Sequence, residues 1–263
     1  MRFIKAHAYG NDFLMIPAEA AAKRPDLAAL ARDVCSRHRG IGADGLMVIT
    51  ERPSGASMRL FNADGSRSEL SGNGVRCLGA WVAHAQRLSP GAAVTIDTDA
   101  GQKVLSLLES SGSHYRFRAS MGKPEGLRQE RLHVAGDTVT AVVLRVGNPQ
   151  CVVIGPVTQE RLSTIAAGLA VHAFFPEGTN VELATVEAPD RVRILIWERG
   201  VGPTEASGTG ACAAAVAAAA FGGAARTVDV VSPGGTQRVE WTDEGLWLTG
   251  SAEIIASGEL QPT

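Results

Sequence analysis

Cysteine is scarce in this chain, and its few copies exclude more chemistry than they suggest. Cys35, Cys77, Cys151 and Cys212 show no C-x-x-C spacing, and none stands at a metal-ligand interval from a histidine. Neither a structural zinc site nor a disulfide framework is expected. The histidines, His7, His38, His84, His114, His133 and His172, form no recognisable cluster. Excess charge of one sign is also missing: the 25 Lys and Arg are scattered among 27 Asp and Glu, for a net charge of −2. That balance argues against nucleic acid and against an anionic membrane surface as partners. Long apolar runs are lacking too. The stretch from Ala213 to Phe221 is too short to span a bilayer, and Met1 to Ile16 has no signal-peptide core. The expectation is a cytoplasmic protein, and 263 residues suffice for two domains of ordinary size.

What the chain does contain is a Gly-rich motif used twice. Ser71-Gly72-Asn73-Gly74-Val75-Arg76-Cys77 returns as Ser207-Gly208-Thr209-Gly210-Ala211-Cys212, an offset of 136 residues from 71 to 207. Each copy opens a proline-free run rich in small apolar residues, so each reads as a turn feeding a helix, with Ser71 or Ser207 at the N-cap. Free backbone N–H groups and the helix dipole at such a turn favour an anion. Two of them could grip one small carboxylate. A dinucleotide fingerprint is excluded, because its third glycine would fall at Cys77 and no acidic residue follows at the required distance.

The offset recurs elsewhere. Gly10-Asn11-Asp12-Phe13 parallels Gly147-Asn148-Pro149-Gln150 at 137 residues, and Gly42-Ala43-Asp44-Gly45-Leu46 parallels Gly178-Thr179-Asn180-Val181-Glu182 at 136. Between these blocks each half carries one helical pattern: Leu27, Leu30, Ala31 and Val34, then Leu162, Ile165, Ala166 and Leu169. Three blocks in one order at nearly one offset indicate a duplication.

Strands are predicted over Met58–Asn62, Val94–Asp97, Val104–Leu108, Tyr115–Ala119, Thr138–Val146, Arg191–Glu198, Thr227–Val231, Gln237–Trp241 and Leu246–Thr249. With two helices per half the class is α+β: two pseudosymmetric domains from a duplication, each a mostly antiparallel or mixed sheet wrapped around a central helix. The Ala-rich run from Ala211 to Ala220 suits a helix that strands approach closely. The punctuation at Met121-Gly122-Lys123-Pro124 sets the domains at 1–120 and 121–251, with a strand within 252–263 returning to the first.

Taken together, Gly10-Asn11-Asp12-Phe13, Asn62-Ala63-Asp64-Gly65-Ser66, Gly72-Asn73-Gly74-Val75-Arg76-Cys77, Gly147-Asn148-Pro149, Gly178-Thr179-Asn180-Val181, Glu198-Arg199-Gly200-Val201-Gly202 and Gly208-Thr209-Gly210-Ala211 stand in the order found in diaminopimelate epimerases. The resemblance covers essentially the whole chain from Lys5. It implies two domains with an active site in the cleft between them, no pyridoxal phosphate, no metal and no other cofactor. It implies conversion of LL- to meso-diaminopimelate in lysine biosynthesis, with one acid/base group at each helix start inverting the stereocentre. By the same resemblance Asn11, Asn62, Asn148, Asn180 and Arg199 bind the substrate, Arg199 at its distal carboxylate. Backbone amides at Gly72, Asn73, Gly208 and Thr209 would hold the α-carboxylate, and Glu198 would orient the catalytic groups.

The chain departs from the family at the acid/base positions. Ser71 and Ser207 stand where the family has catalytic cysteines, and Gln150 stands where a histidine usually follows Asn-Pro. A hydroxyl is a far weaker acid than a thiol, whose ordinary pKa near 8.5 a helix N-terminus can lower. A steep loss of rate is expected. Cys77 and Cys212 lie too far into their helices to substitute and are expected to be buried and structural. Asp44 and Asp64, in Gly-flanked turns, are expected to serve local Asx-turns. Three readings stay open: both cysteines replaced by serine to trap a bound substrate, a natural serine-bearing isomerase or lyase of the same fold, or an amino-acid-binding protein without catalysis. Pairing into a homodimer is left open as well.

Overall fold

The computed structural model describes residues 1–22, 24–69 and 71–261. The chain divides into two compact units, the first Met1–Ala119 with the segment from Gly250 onward, the second Ser120–Thr249. In the first unit the order is β1 (Arg2–Ala8), β2 (Asn11–Pro17), the single turn α1 (Ala18–Ala21), α2 (Leu27–Cys35), β3 (Gly45–Arg52), β4 (Gly55–Asn62), β5 (Arg67–Ser68), α3 (Gly72–Ala85), β6 (Ala93–Thr98), β7 (Gly101–Ser111) and β8 (His114–Gly122). The second holds β9 (Glu125–Val134), β10 (Asp137–Val146), β11 (Asn148–Ile154), α4 (Gln159–Arg161), a π turn (Leu162–Ala166), α5 (Ala167–Ala170), β12 (Asn180–Ala188), β13 (Arg191–Glu198), β14 (Gly202–Thr204), α6 (Gly208–Phe221), β15 (Thr227–Ser232), β16 (Gly235–Trp241) and the start of β17 (Leu246–Glu259).

The strand pairings repeat. In the first unit β1 to β2 is antiparallel, β2 to β3 parallel, β3 to β4 antiparallel, β4 to β6 parallel, and β6 to β7 to β8 antiparallel. The same succession runs β10, β11, β12, β13, β15, β16, β17 in the second. Parallel steps need crossovers, which the helices supply. The mixed, mostly antiparallel sheet is therefore as expected, and the duplication extends to the ladder itself.

In each unit the strands wrap one helix. The α6 residues Ala211 to Ala218 are all at most 2% exposed, and Val142, Leu144, Ala184, Ile194, Ile196, Val228, Val239 and Leu248 pack around them. A helix apolar all round has to be buried on every side, and its Ala side chains let the strands come close. Around α3 the partners of Cys77, Leu78 and Val82 are Met15, Met47, Leu60, Ile96, Leu107 and Phe117. Gly79 leaves room there for Leu105, whose Cδ1 would lie 2.5 Å from a Cβ.

The outer faces of the parallel pairs are covered as well. Leu30, Ala31 and Val34 of α2 pack on Leu14, Ile16, Leu46 and Val48, while Leu162, Ile165 and Leu169 pack on Val153, Val181 and Leu183. This is why β2 and β11 read as continuous apolar runs instead of alternating ones.

The structure corrects one sequence expectation, adds a strand, and extends the returning one. The helical pattern from Leu162 to Leu169 is broken into α4, a π turn and α5. A strand, β9, begins at Glu125, directly after the expected boundary, and pairs with β10. The returning C-terminal strand is continuous with Leu246–Thr249 as 14-residue β17, and its later part pairs with β1, His7 opposite Glu253 and Ile4 opposite Ser257. Positions 262 and 263 of that expected segment lie outside the described residues.

Candidate active site

In the first unit the site is built at the start of α3. Ser71 is the N-cap, extended at φ −132° and ψ 121°, and its Oγ accepts the Gly74 N–H at 3.1 Å. The two following positions differ in access: Gly72 is exposed, with nothing within 4 Å of where a Cβ would stand, while Asn73 is 7% exposed. Asn73 Nδ2 donates to Asn11 Oδ1 at 3.2 Å, and its Oδ1 accepts from the Arg76 guanidinium. Asn11 in turn donates to Asp44 Oδ2 at 2.8 Å. Four residues from three separate blocks are thereby linked. Tyr9 and Gly10, at φ 57° and 86°, form the tight turn that sends β2 back beside β1 and delivers Asn11 to this chain of bonds.

Asn62 ends β4 opposite Gly45, and its side chain donates to Ser66 Oγ at 2.9 Å. Asp64 accepts from Ser66 N at 2.8 Å and Ser66 Oγ at 2.6 Å, the local turn role expected. Asp44 does something else. Its carboxylate takes Asn11 Nδ2, the Asp12 N–H and Arg37 Nη2, so it ties strands together instead of closing a turn. Asp12, 6% exposed, is held by Lys5 and Arg37, each at 2.9 Å. Burial pushes its pKa up, but the hydrogen bonds and charges of Arg37 and Lys5 outweigh it and hold the carboxyl below its ordinary value.

The second unit repeats the cap. Ser207, at φ −137° and ψ 131°, starts a helix of the same 14 residues, and its Oγ accepts Gly210 N–H at 3.3 Å. Thr209 Oγ1 lies 3.4 Å from that Oγ. The Ser207 hydroxyl is also hydrogen-bonded to the Glu198 carboxyl. Burial raises the Glu198 pKa and this hydrogen bond offsets part of the rise. On the neighbouring strands Asn180, 8% exposed, accepts the Arg199 backbone N–H at 2.9 Å through Oδ1. Gln150 pairs with Asn180 in the parallel ladder and donates to Asn148 Oδ1 at 2.5 Å. Arg199 is exposed, with Nη1 donating to the Glu177 carbonyl at 2.8 Å. Gly178 permits that approach: a Cβ there would stand 3.0 Å from both Ala170 O and Arg199 Cδ.

Cys77 and Cys212 are both fully buried, as expected. Burial pushes the Cys77 thiol up to about 12, opposite to what an acid/base thiol requires. Among the described residues no group of three or more His, Cys, Asp or Glu is arranged to hold a metal ion, and no helix is long and apolar enough to cross a membrane.

One buried carboxyl escaped the sequence reading. Glu182 is 0% exposed and neither of its oxygens has a hydrogen-bond partner. The signal was present in the duplication but misregistered by one residue. Counting by 136 aligns Glu182 with Leu46, whereas the ladders align it with Met47, because Phe13 faces Gly45 as Gln150 faces Asn180. Side-chain contacts agree. A Cβ on Gly74 would touch Met47 Sδ at 3.5 Å, and a Cβ on Gly210 would lie 2.5 Å from Glu182 Oε1. A carboxyl thus occupies the place of a thioether.

Known proteins resemble this chain over nearly its whole length. The sequence model described as diaminopimelate epimerase matches residues 3–126 and 142–255. A diaminopimelate epimerase of Moorella thermoacetica is 37% identical over 277 residues, covering 99% of each chain. One from Bacteroides thetaiotaomicron is 38% identical over 272 residues, covering 99% of this chain and 98% of its own. Among solved structures, an epimerase predicted in Pseudomonas aeruginosa superposes with a TM-score of 0.74 at 16% identity, covering 100% of this chain and 99% of its own, a likeness of fold. With a family match over most of its length and relatives above one-third identity at full coverage, the chain belongs to the diaminopimelate epimerase family.

Proposed function

We propose that this chain is a cofactor-independent amino-acid epimerase that binds diaminopimelate and inverts its α-carbon between the LL and meso forms by two-base proton transfer. Ser71 and Ser207 are the acid/base groups in this reading. One removes the α-proton and the other returns a proton to the opposite side of the stereocentre. The observation that carries the reading is the equivalence of the two caps. Each serine is the extended N-cap of a 14-residue buried helix, and its Oγ accepts the N–H three residues on, at a helix start where a carboxylate is favoured.

Asn11, Asn62, Asn148, Asn180 and Arg199 serve as binding groups, with the Gly72, Asn73, Gly208 and Thr209 amides for the α-carboxylate. Glu198, with a raised pKa and hydrogen-bonded to Ser207, assists Ser207 as base. Rates are low, because a neutral hydroxyl replaces a thiolate at both positions.

A second reading, a binding protein that does not turn over, is favoured by one observation: hydroxyls occupy both acid/base positions. Isothermal calorimetry on the folded chain with LL-, DD- and meso-diaminopimelate tests what the two readings share. Heat with at least one isomer is expected. Silence with all three at millimolar ligand overturns both.

A further inference from the structure

Glu182 has no structural reason to be a carboxylic acid. Its counterpart Met47 fills the same place under the first helix with a thioether, and a buried carboxylate without a partner is costly. It lies on β12 opposite Ile196, and Glu198 stands two residues further along β13, on the same face. Gln150, opposite Asn180 two residues back, shares that face, and its Oε1 is also buried without a partner. Three orphaned atoms here, Gln150 Oε1 and both Glu182 oxygens, are acceptors when Glu182 is ionised, and no donor serves them. One proton on Glu182 converts an orphaned acceptor into a donor on the face it shares with Gln150.

Glu198 on β13 is a like charge, and the Cys151 thiol on β11 feels the Glu182 charge from the other face of the sheet. The Arg199 guanidinium is turned to the Glu177 carbonyl, and among the described residues the first turn of α6 at Gly210 is the one nearby element that favours an anion. Burial first, and the Glu198 charge second, raise the Glu182 pKa well above its ordinary value.

We propose that Glu182 is a positioning residue of the second serine cap: a neutral carboxylic acid beside an ionised Glu198, so that the pair carries one negative charge. Glu198 is then the ionised member, free to accept the Ser207 proton, and Glu182 keeps the pair from carrying two charges beside Gly210. The proposal rests on the assignment of Ser207 as an acid/base group, but its test needs no turnover.

The test is a carbon-13 NMR pH titration of the ligand-free full chain labelled at glutamate side chains. Assignment uses Glu182→Gln, or Glu182→Asp if the first does not fold. The Glu182 carboxyl carbon is expected at its protonated position at pH 7. In Glu198→Gln its midpoint should fall by about one pH unit or more, as for coupled sites. A Glu182 carboxyl ionised at pH 7, or a midpoint unmoved in Glu198→Gln, would overturn the proposal. Absence of epimerase activity would leave the titration unaffected, and a failed titration would leave the epimerase reading standing.

Discussion

Replacing Glu182 with Gln should make the protein more stable, and increasingly so as pH rises. A carboxyl whose pKa is raised by folding retains a proton that the unfolded chain has already released. Its favourable contribution is whole below the unfolded value near 4.5 and erodes as pH climbs toward the folded one. The slope is set by one proton, about 1.4 kcal/mol per pH unit. Gln keeps the size and polarity of the neutral acid but cannot ionise, so the slope disappears. At pH 4.5 the two proteins should agree within about 1 kcal/mol, the worth of one exchanged hydrogen bond. Above that, Glu182→Gln should gain by the slope, roughly 3–5 °C in melting temperature per pH unit.

Thermal unfolding from pH 4.5 to 8, followed by tryptophan fluorescence, reads this out. Three of the four tryptophans, Trp197, Trp241 and Trp247, lie in the second unit and Trp81 in the first, so most of the signal reports on the second. Parallel curves for the two proteins would refute the reasoning, since groups common to both cancel in the difference.

Other outcomes follow from the geometry. Arg199→Ala should weaken a dicarboxylate by about 2 kcal/mol while leaving its monocarboxylate analogue nearly unchanged; calorimetry with equal losses for both would remove Arg199 as the distal clamp. Asp12→Asn should cost about 2–3 kcal/mol at pH 7 by breaking the bonds to Lys5 and Arg37. The cost should shrink as pH falls through the depressed carboxyl pKa, because only the ionised form makes those pairs; urea titrations at pH 7 and pH 3 with the same difference would contradict this. Gly79→Ala should destabilise the first unit by roughly 1–3 kcal/mol, as overpacking against Leu105 exceeds the gain of up to about 1 kcal/mol in helix propensity, and a stabilised variant in urea would show that the strands yield there.

Much of this architecture was legible because glycine and N-cap chemistry are local. Ser71 and Ser207 announce their helices from four residues of context, and the repeat multiplies a weak signal into a strong one. Asp26, which accepts from Ala28 and Ala29, marks the start of α2 in the same local way. Nonlocal features were harder to read. β9 carries arginine and glutamate on a mostly exposed strand, and only Leu132 and Val134 are buried, so its alternation is faint.

Asp44 sits beside glycine and looks like a turn residue until the parallel β2 to β3 ladder puts Asn11 and Asp12 against it. Glu182 was hidden by a one-residue shift in the repeat. A polar residue in an apolar strand reveals its partners, or their absence, only when the opposing helix is in place. At the caps the sequence placed the serines correctly, but the hydrogen bond directing Ser207 to Glu198 needed the ladder to bring β13 alongside.

The central claim, that Ser71 and Ser207 occupy the two proton-transfer positions of an epimerase, is tested most directly by α-proton exchange in deuterated water. The chain as it stands should exchange the α-proton of LL- or meso-diaminopimelate very slowly. Ser71→Cys together with Ser207→Cys should raise exchange and inversion by several orders of magnitude, each competent acid or base being worth roughly 10²- to 10⁴-fold. Either cysteine alone should recover little inversion, and Gln150→His completes the family's polar set if the pair needs orienting. A double-cysteine protein, with or without that histidine, that binds diaminopimelate yet exchanges no α-proton would contradict the claim.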